Sequence, residues 1–346
     1  MMKIGNRIIG EDSPCFIIAE AGVNHNGDIN IAKELIDIAV EAGVDAIKFQ
    51  TFKAENLVTK DAPKAIYQEK TTGNGTQFEM LKKIELSNEE HRILKEYCNN
   101  KKIIFISTPF DIESVDILEE INVPFYKISS GDLTNTPLLK YIGKLNKAIV
   151  LSTGMATLGE VENALEAINT TGNYNVSLLH CTSNYPTMYE DVNLNAMVTL
   201  KNAFKLPVGY SDHTKGIEVA IAAVAMGAKI IEKHFTLDKD MEGPDHRASL
   251  DTKELIEMVK AIKNIEKALG DGIKRCNKNE ENTKKVARKS IVASKNIYKG
   301  ESITYENITF KRPSNGISPV YVDEFIGKIA ISDIFIDEIL TFSKVK

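Results

Sequence analysis

From Phe16 onward, short apolar runs alternate with longer stretches in which apolar residues recur every three or four positions. The short runs are FIIAEAG (16–22), AIKFQTF (46–52), IIFISTPF (103–110) and FYKISSG (125–131), then AIVLSTG (148–154), VSLLHCTS (176–183), LPVGYSD (206–212) and KIIEKHF (229–235). Nearly continuous apolar runs of this length read as parallel strands, which are covered on both faces. The stretches between them read as amphipathic helices, for example NIAKELIDIAVEAG (30–43), DIESVDILEEIN (111–122) and GEVENALEAIN (159–169). In the first, Ile31, Leu35, Ile38 and Val40 or Ala42 are expected on one stripe, with Lys33, Glu34, Asp37 and Glu41 facing away. Gly22, Gly43, Gly131, Gly154 and Gly227 fall at the joints, where a positive φ or a helix stop is useful.

Strand–helix units repeated between residue 16 and residue 272 predict an α/β fold, a (β/α)₈ TIM barrel. An open doubly wound sheet is the alternative, but no G-x-G-x-x-G follows the first strand. Residues 53–86 are too long for an ordinary strand–helix connection and read either as a lid over the site or as a decorative loop. Past residue 272 the stretch IKRCNKNEENTKK (273–285) is polar, and short β-rich runs with Gly and Pro turns follow. The expected organisation is a barrel over 1–272, a linker over 273–287 and a small β-rich domain over 288–346.

Composition narrows the partners. The 346-residue chain carries a net charge of −5, which argues against non-specific nucleic-acid or membrane-surface binding. Cys15, Cys98, Cys181 and Cys276 lie far apart, with no C-x-x-C pair, as in a reducing compartment. No apolar stretch approaches the length of a membrane span and the N-terminus lacks a signal-peptide layout, so the expectation is a cytoplasmic protein.

Barrel enzymes work at the C-terminal ends of their strands. Here those ends carry Glu20; Lys48 and Gln50; Ser107 and Thr108; Lys127, Ser129 and Ser130; Ser152 and Thr153; His180 and Ser183; Ser211 and His213; Glu232 and His234. Residues two apart share a face of a strand. Lys48 with Gln50, Lys127 with Ser129, Ser211 with His213, and Glu232 with His234 therefore aim into the mouth together, while Phe49 and Ile128 pack outward.

His213 and His234 end the seventh and eighth strands, beside Asp212 and Glu232, close enough to share a divalent ion while leaving positions for water and substrate. Two hydrogen-bonded core histidines remain open as the other reading. Lys48 and Lys127 are buried amines that need anionic partners. With the hydroxyls of Thr108, Ser130, Ser152 and Ser211 they describe a phosphate or carboxylate pocket. A Schiff-base lysine, or structural ion pairs to Glu20 or Glu232, are the alternatives. Asp245, in the turn-rich MEGPDHRASL (241–250), is a candidate base or sugar-hydroxyl ligand.

Taken in order, AEAGVNHNGD (19–28), KFQTF (48–52), STPFD (107–111), KISSG (127–131), LSTGM (151–155), LHCTSNYPT (179–187), GYSDHT (209–214), EKHFTLD (232–238) and GPDH (243–246) resemble the bacterial sialic acid synthases. KRPSNGISP (311–319) carries the resemblance into the small domain, which looks like that family's antifreeze-like (SAF) domain. The resemblance implies condensation of phosphoenolpyruvate with an N-acetylated mannosamine-type sugar, releasing phosphate. N-acetylmannosamine is the acceptor expected first, and a 2,4-diacetamido-2,4,6-trideoxymannose, giving a legionaminic acid, second.

The resemblance further implies a divalent metal, usually Mn²⁺ with Mg²⁺ or Co²⁺ as alternatives, on His213 and His234. It places phosphoenolpyruvate on Lys48, Thr108, Lys127, Ser130, Ser152 and Ser211, and the sugar on Gln50, Tyr185 and Asp245. Glu20 and Glu232 are then proton-handling or water-orienting groups. Arg312 is expected to reach a partner subunit's barrel in a domain-swapped homodimer. Two positions depart from the family pattern: Ser183 stands where many relatives have Asn, with Asn184 adjacent, either of them a candidate substrate contact, and Ser314 replaces the Gly of K-R-P-G.

Overall fold

The computed structural model describes residues 1–5 and 7–346. Its chain divides into two compact units, Met1–Gly270 and Asp271–Lys346. In the first, a hairpin of β1 (Met2–Ile4) and β2 (Arg7–Ile9) precedes eight parallel strands. These are β3 (Phe16–Gly22), β4 (Ala46–Thr51), β5 (Ile104–Pro109), β6 (Phe125–Ile128), β7 (Ala148–Ser152), β8 (Val176–Cys181), β9 (Val208–Asp212) and β10 (Ile230–His234). They are ordered β5-β4-β3-β10-β9-β8-β7-β6, and β5 also packs beside β6, so the sheet curls into a nearly closed TIM-type barrel. Each strand leads to a helix on the outer face; these span Ile29–Ala42, Asn88–Lys101, Ile112–Glu120, Thr136–Lys144, Leu158–Asn169, Asn195–Phe204, Glu218–Ala225 and Thr252–Leu269.

Local signals set the helix ends. Asp28 caps the first helix by accepting from the Asn30 N–H, and Gly43 closes it at φ 71°. Thr157 with Glu160 and Asp251 with Glu254 form reciprocal capping boxes. In Ile29–Ala42 the buried stripe is Ala32, Leu35, Ile36, Ala39 and Ala42, rotated from the expected one. Ile31 and Ile38 sit at its edge and Val40 is exposed. The three alanines let the helix backbone approach the strands, and Leu35 and Ile36 fill the rest of the buried stripe.

The barrel interior is apolar at the strands' N-terminal ends. Phe16, Ile18, Ala46, Ile106, Phe125, Ala148, Val150, Leu179 and Ile230 form one buried cluster, closed from below by Met2, Ile4 and Ile9 of the hairpin. The insertion after β4 folds into helices Ala54–Leu57, Ile66–Thr72 and Gln77–Ile84, with a small core of its own that includes Phe52, Met80, Leu81 and Ile84.

The second unit pairs β11 (Ser290–Ala293) with β12 (Ile308–Lys311) around Ile291, Ile297, Ile303, Phe325, Ile334 and Leu340. The stretch read as a linker carries a helix at Glu281–Ala287, with none of its residues buried.

Candidate active site at the barrel mouth

Strand register assembles the site. Glu20 lies beside Lys48 on one side and His234 on the other, and Glu232 lies beside Ser211. Lys48 Nζ is 2.8 Å from Glu20 Oε2 and 3.8 Å from Glu232 Oε1, and donates to Thr108 Oγ1 at 3.0 Å. Lys127 Nζ is 3.4 Å from Glu232 Oε1, to which Ser211 Oγ donates at 3.2 Å. The lysines thus meet carboxylates, as the ion-pair alternative has it, within a cluster whose four charged side chains are all at most 3% exposed.

The cluster is not self-satisfied. Among the described residues, Ser152 Oγ, Glu232 Oε2 and His234 Nδ1 are buried without a hydrogen-bond partner, and Glu20 Oε2 has only its ion pair with Lys48. A buried polar atom left without a partner loses about 1–3 kcal/mol, so several in one place mark a site shaped for something polar. Burial pushes the Glu20 carboxyl up to about 7 against the pull of Lys48. Burial acts the same way on Glu232, but Lys127 and Lys48 outweigh it and hold that carboxyl below its usual range. For Lys48 burial is outweighed by Glu20 and Glu232 and the pKa is raised, whereas burial wins at Lys127 and lowers it.

Above this cluster the rings of His213 and His234 lie 5.6 Å apart, centroid to centroid. Burial depresses both, His213 to about 4 and His234 well below its ordinary value, so both are neutral at pH 7. His213 Nδ1 sits 2.7 Å from the Thr182 carbonyl oxygen. A carbonyl only accepts, so Nδ1 carries the proton and Nε2 keeps its lone pair, the arrangement metal-ligating histidines adopt. His234 Nδ1 is buried and unpartnered. These two nitrogens fit a divalent ion. Among the described residues no group of three or more His, Cys, Asp or Glu is arranged to hold one, so water and substrate oxygens would complete its shell.

The family model described as NeuB family matches residues 35–274, and the SAF domain model matches residues 288–346. The chain belongs to the NeuB family. It is 54% identical to the N,N'-diacetyllegionaminic acid synthase of Campylobacter jejuni subsp. jejuni, over 94% of this chain and 98% of that one. It is 48% identical to the protein of the same name from Legionella pneumophila subsp. pneumophila, over 92% and 91%. Among solved structures, the N-acetylneuraminic acid (sialic acid) synthetase of Leptospira borgpetersenii serovar Hardjo-bovis superposes with a TM-score of 0.72 at 38% identity, covering 82% of this chain and 94% of that one.

In this NeuB-family chain the mouth gathers most of the residues that the sequence singles out. The Gln50 amide, Glu20 carboxylate and His234 ring converge on Gly22, whose φ is 54°. Tyr185 packs against His213 in a tilted arrangement, centroids 4.2 Å apart, and meets His234 edge-on at 5.5 Å. Asp245 Oδ2 is 4.0 Å from His234 Nδ1, and burial raises its carboxyl to about 6. Ser183 Oγ turns in toward Gly154, whereas its neighbour Asn184 is exposed. Arg312 follows β12 in the second unit and is exposed; its loop is pinned where Ser290 Oγ donates to the Pro313 carbonyl and Ser314 Oγ to the Lys284 and Lys285 carbonyls. Ser314, the departure from the usual Gly, thus ties that loop to the end of helix Glu281–Ala287.

Several strand-end residues face elsewhere. Ser107 Oγ bonds Thr51 Oγ1, Thr153 Oγ1 donates to the Leu179 carbonyl, and His180 Nε2 bonds the Val192 carbonyl oxygen. Ser129 does not join Lys127, because β6 ends at Ile128 and the Ser129 hydroxyl turns to Asp132. Asp212 points outward into a fully buried pair with Lys233 at 2.7 Å, and also accepts from Thr214. It anchors the turn after His213 rather than meeting the histidines.

Two residues of the site escape the sequence reading. Tyr67, from the insertion helix Ile66–Thr72, stacks on Tyr185 at 5.3 Å. Nothing in the local pattern distinguishes it from an ordinary surface aromatic. Cys181 is the inward residue of β8 where His180 was expected. Counting alternate positions from Leu179, which is in the interior cluster, would have found it.

Proposed function

We propose that this chain condenses phosphoenolpyruvate with a 2,4-diacetamido-2,4,6-trideoxymannose, releasing phosphate and forming an N,N'-diacetyllegionaminic acid. The sequence puts N-acetylmannosamine first as acceptor. The observation that carries the change of sugar is 54% identity, over nearly the full length of both chains, to a protein named for the legionaminic product.

The chemistry follows from the charge layout. Phosphoenolpyruvate brings a phosphate and a carboxylate, and Lys48 and Lys127 are its counter-charges, with Thr108, Ser130, Ser152 and Ser211 as hydroxyl donors. Glu20 and Glu232 already neutralise those lysines, so an incoming anion requires the cluster to shed negative charge. Glu20, titrating at about 7, is the group that takes up that proton. Glu232 stays ionised between the lysines and keeps one carboxylate oxygen free to orient the water that adds at C2.

His213 Nε2 and His234 Nδ1 would hold a divalent ion, Mn²⁺ by the family resemblance, and when bound it would supply Lewis-acid polarisation of the open-chain sugar's aldehyde. The enol carbon attacks that aldehyde carbon, water adds at C2, and the tetrahedral adduct expels phosphate by C–O cleavage. Gln50, Tyr185 and Asp245 line the side on which the sugar stands, and Asp245, raised to about 6, can accept from a sugar hydroxyl or hold its proton. Arg312 is proposed to contact the acetamido group from the partner subunit of a domain-swapped homodimer. Its four free cysteines suit a reducing compartment, and the cytoplasm is the proposed setting.

Phosphate release from phosphoenolpyruvate, measured with a panel of acetamido sugars with and without chelator, tests the reading. A higher kcat/KM for the diacetamido sugar and loss of turnover with chelator are expected. Preference for N-acetylmannosamine would return the first acceptor, and turnover that survives chelation, with borohydride trapping an imine at Lys48 or Lys127, would replace the mechanism. Removing residues 288–346 is expected to abolish turnover, and retained activity would remove Arg312 from the scheme.

A further inference from the structure

Cys181 is an inward-facing group at the mouth that the mechanism leaves unused. It ends β8 in register with Ser211, is 5% exposed, and lies with its Sγ 3.0 Å from Ser130 Oγ. Ser130, in the 3₁₀ turn Ser130–Asp132 that follows β6, also accepts the Gly154 N–H at 2.9 Å. A Cβ on Gly154 would stand 2.8 Å from both Cys181 Sγ and Ser130 Oγ and 2.3 Å from Ser183 Oγ. Only glycine there lets the three heteroatoms meet. On the adjoining strand Ser152 Oγ, 2% exposed, has no partner at all, so this wall of the mouth is built to receive a further polar group.

A hydroxyl has two acceptor lone pairs and a single proton. If Ser130 gave that proton to the sulfur, a weak acceptor, it would have none for an anion. If the thiol donates instead, the Gly154 N–H and the Cys181 S–H fill both lone pairs and the Ser130 proton turns into the pocket. A bound anion, which only accepts, selects the second arrangement. Burial pushes the Cys181 thiol pKa up, which keeps the donor proton in place.

We propose that Cys181 is a positioning residue whose thiol, by donating to Ser130 Oγ, aims the Ser130 hydroxyl at the phosphate of phosphoenolpyruvate. This rests on the function proposed above and adds to it the group that orients one of the phosphate donors. Because that phosphate is held in ground state and transition state alike, losing the orientation weakens uniform binding rather than the chemical step.

The test is steady-state phosphate release at saturating sugar and metal, with phosphoenolpyruvate varied and thermal melts run in parallel. Cys181→Ala is expected to raise KM for phosphoenolpyruvate about tenfold with kcat within about twofold. Cys181→Ser, which restores a donor, is expected to stay within about threefold of the wild type. Adding Cys181→Ala to Ser130→Ala is expected to cost nothing further, since the pair acts as one unit. If Cys181→Ala does not fold, Cys181→Val, close in volume and without a donor, carries the same comparison. Wild-type kinetics in the alanine variant, a serine variant as poor as alanine, or additive losses in the double variant would each overturn the proposal. A wild-type protein that releases no phosphate with any acetamido sugar sinks the functional reading itself, and is thereby distinguished from failure of the Cys181 role alone.

Discussion

The two halves of the barrel interior are built by the same strands, on the same inward faces, from opposite materials. Toward the N-terminal ends the inward residues are Phe16, Ile18, Ala46, Ile106, Phe125, Val150, Leu179 and Ile230, sealed by three apolar residues of the β1–β2 hairpin. Two residues further along the same strands the inward positions become Glu20, Lys48, Thr108, Lys127, Ser152, Cys181 and Glu232, all buried. The lower half removes apolar surface from water and asks nothing of a ligand. The upper half buries four charges and leaves Ser152 Oγ, Glu232 Oε2 and His234 Nδ1 without partners. Stability and reactivity are thus separated along one axis, two residues apart on each stave.

If that division is real, a substitution in each half should fail differently. The largest effect is expected at Lys127→Met, which keeps length but removes one of the cations proposed to face phosphoenolpyruvate. kcat/KM should fall by about 10³-fold or more, the scale of losing a charge-stabilising group in a dry site. Circular dichroism should show the fold retained. A variant with near wild-type phosphate release would end the reading of the upper half as an anion site.

Below the divide the expectation reverses. Ile106→Ala, in the fully buried apolar layer, should cost about 3 kcal/mol of stability by denaturant titration through the lost burial and the cavity left behind. Well below its melting temperature the variant should keep kcat/KM. A large loss of turnover without loss of stability would show that the two halves are mechanically coupled rather than separate.

Ser152→Ala probes the boundary between them. Its hydroxyl is buried and unpartnered, so removing it should raise stability by about 1 kcal/mol. The same change should raise KM for phosphoenolpyruvate about tenfold by removing a donor. A hydroxyl that served only to fill space would show neither sign, and one that served the fold would show a loss of stability.

The division also explains what the sequence discloses. All eight barrel strands are legible because continuous apolar runs end in polar residues, and FIIAEAG (16–22) coincides with β3. Lys48, Lys127, Glu232 and the two histidines are legible for the same reason, as charged or polar side chains standing where an apolar core should be. The hairpin is not, since strands of three residues carry too few positions to show a period. His180 and Asp212 mislead because they stand one position off the inward register: each has a strand-end location but the wrong parity. Gly154 was expected for its backbone freedom and is instead needed for lack of a side chain, a reason visible only once Ser130, Cys181 and Ser183 converge on it. The helix stripe around Val40 shows the same limit, because the pattern gives a period while packing chooses its phase.

The smallest effect is expected where the insertion meets the mouth. Residues 53–86 read equally as lid or ornament, and the structure brings one half-buried side chain of that segment, Tyr67, onto the ring of Tyr185. Tyr185 in turn lies against both histidine rings, so the aromatic series Tyr67–Tyr185–His213 leads from the insertion to the nitrogens assigned to the metal. A stacked aromatic pair is worth about 0.5–1.5 kcal/mol beyond its buried area. Losing it in Tyr67→Ala should free Tyr185 to leave the sugar side, raising KM for the sugar by about three- to tenfold while KM for phosphoenolpyruvate stays fixed. Tyr67→Phe, which keeps the stack and drops only the hydroxyl, should behave as wild type. If phenylalanine fails as badly as alanine, the hydroxyl rather than the ring is at work, and the insertion takes part in binding through a polar contact. If neither changes the sugar's KM, the segment is ornament, and the upper half of the barrel ends at its strands.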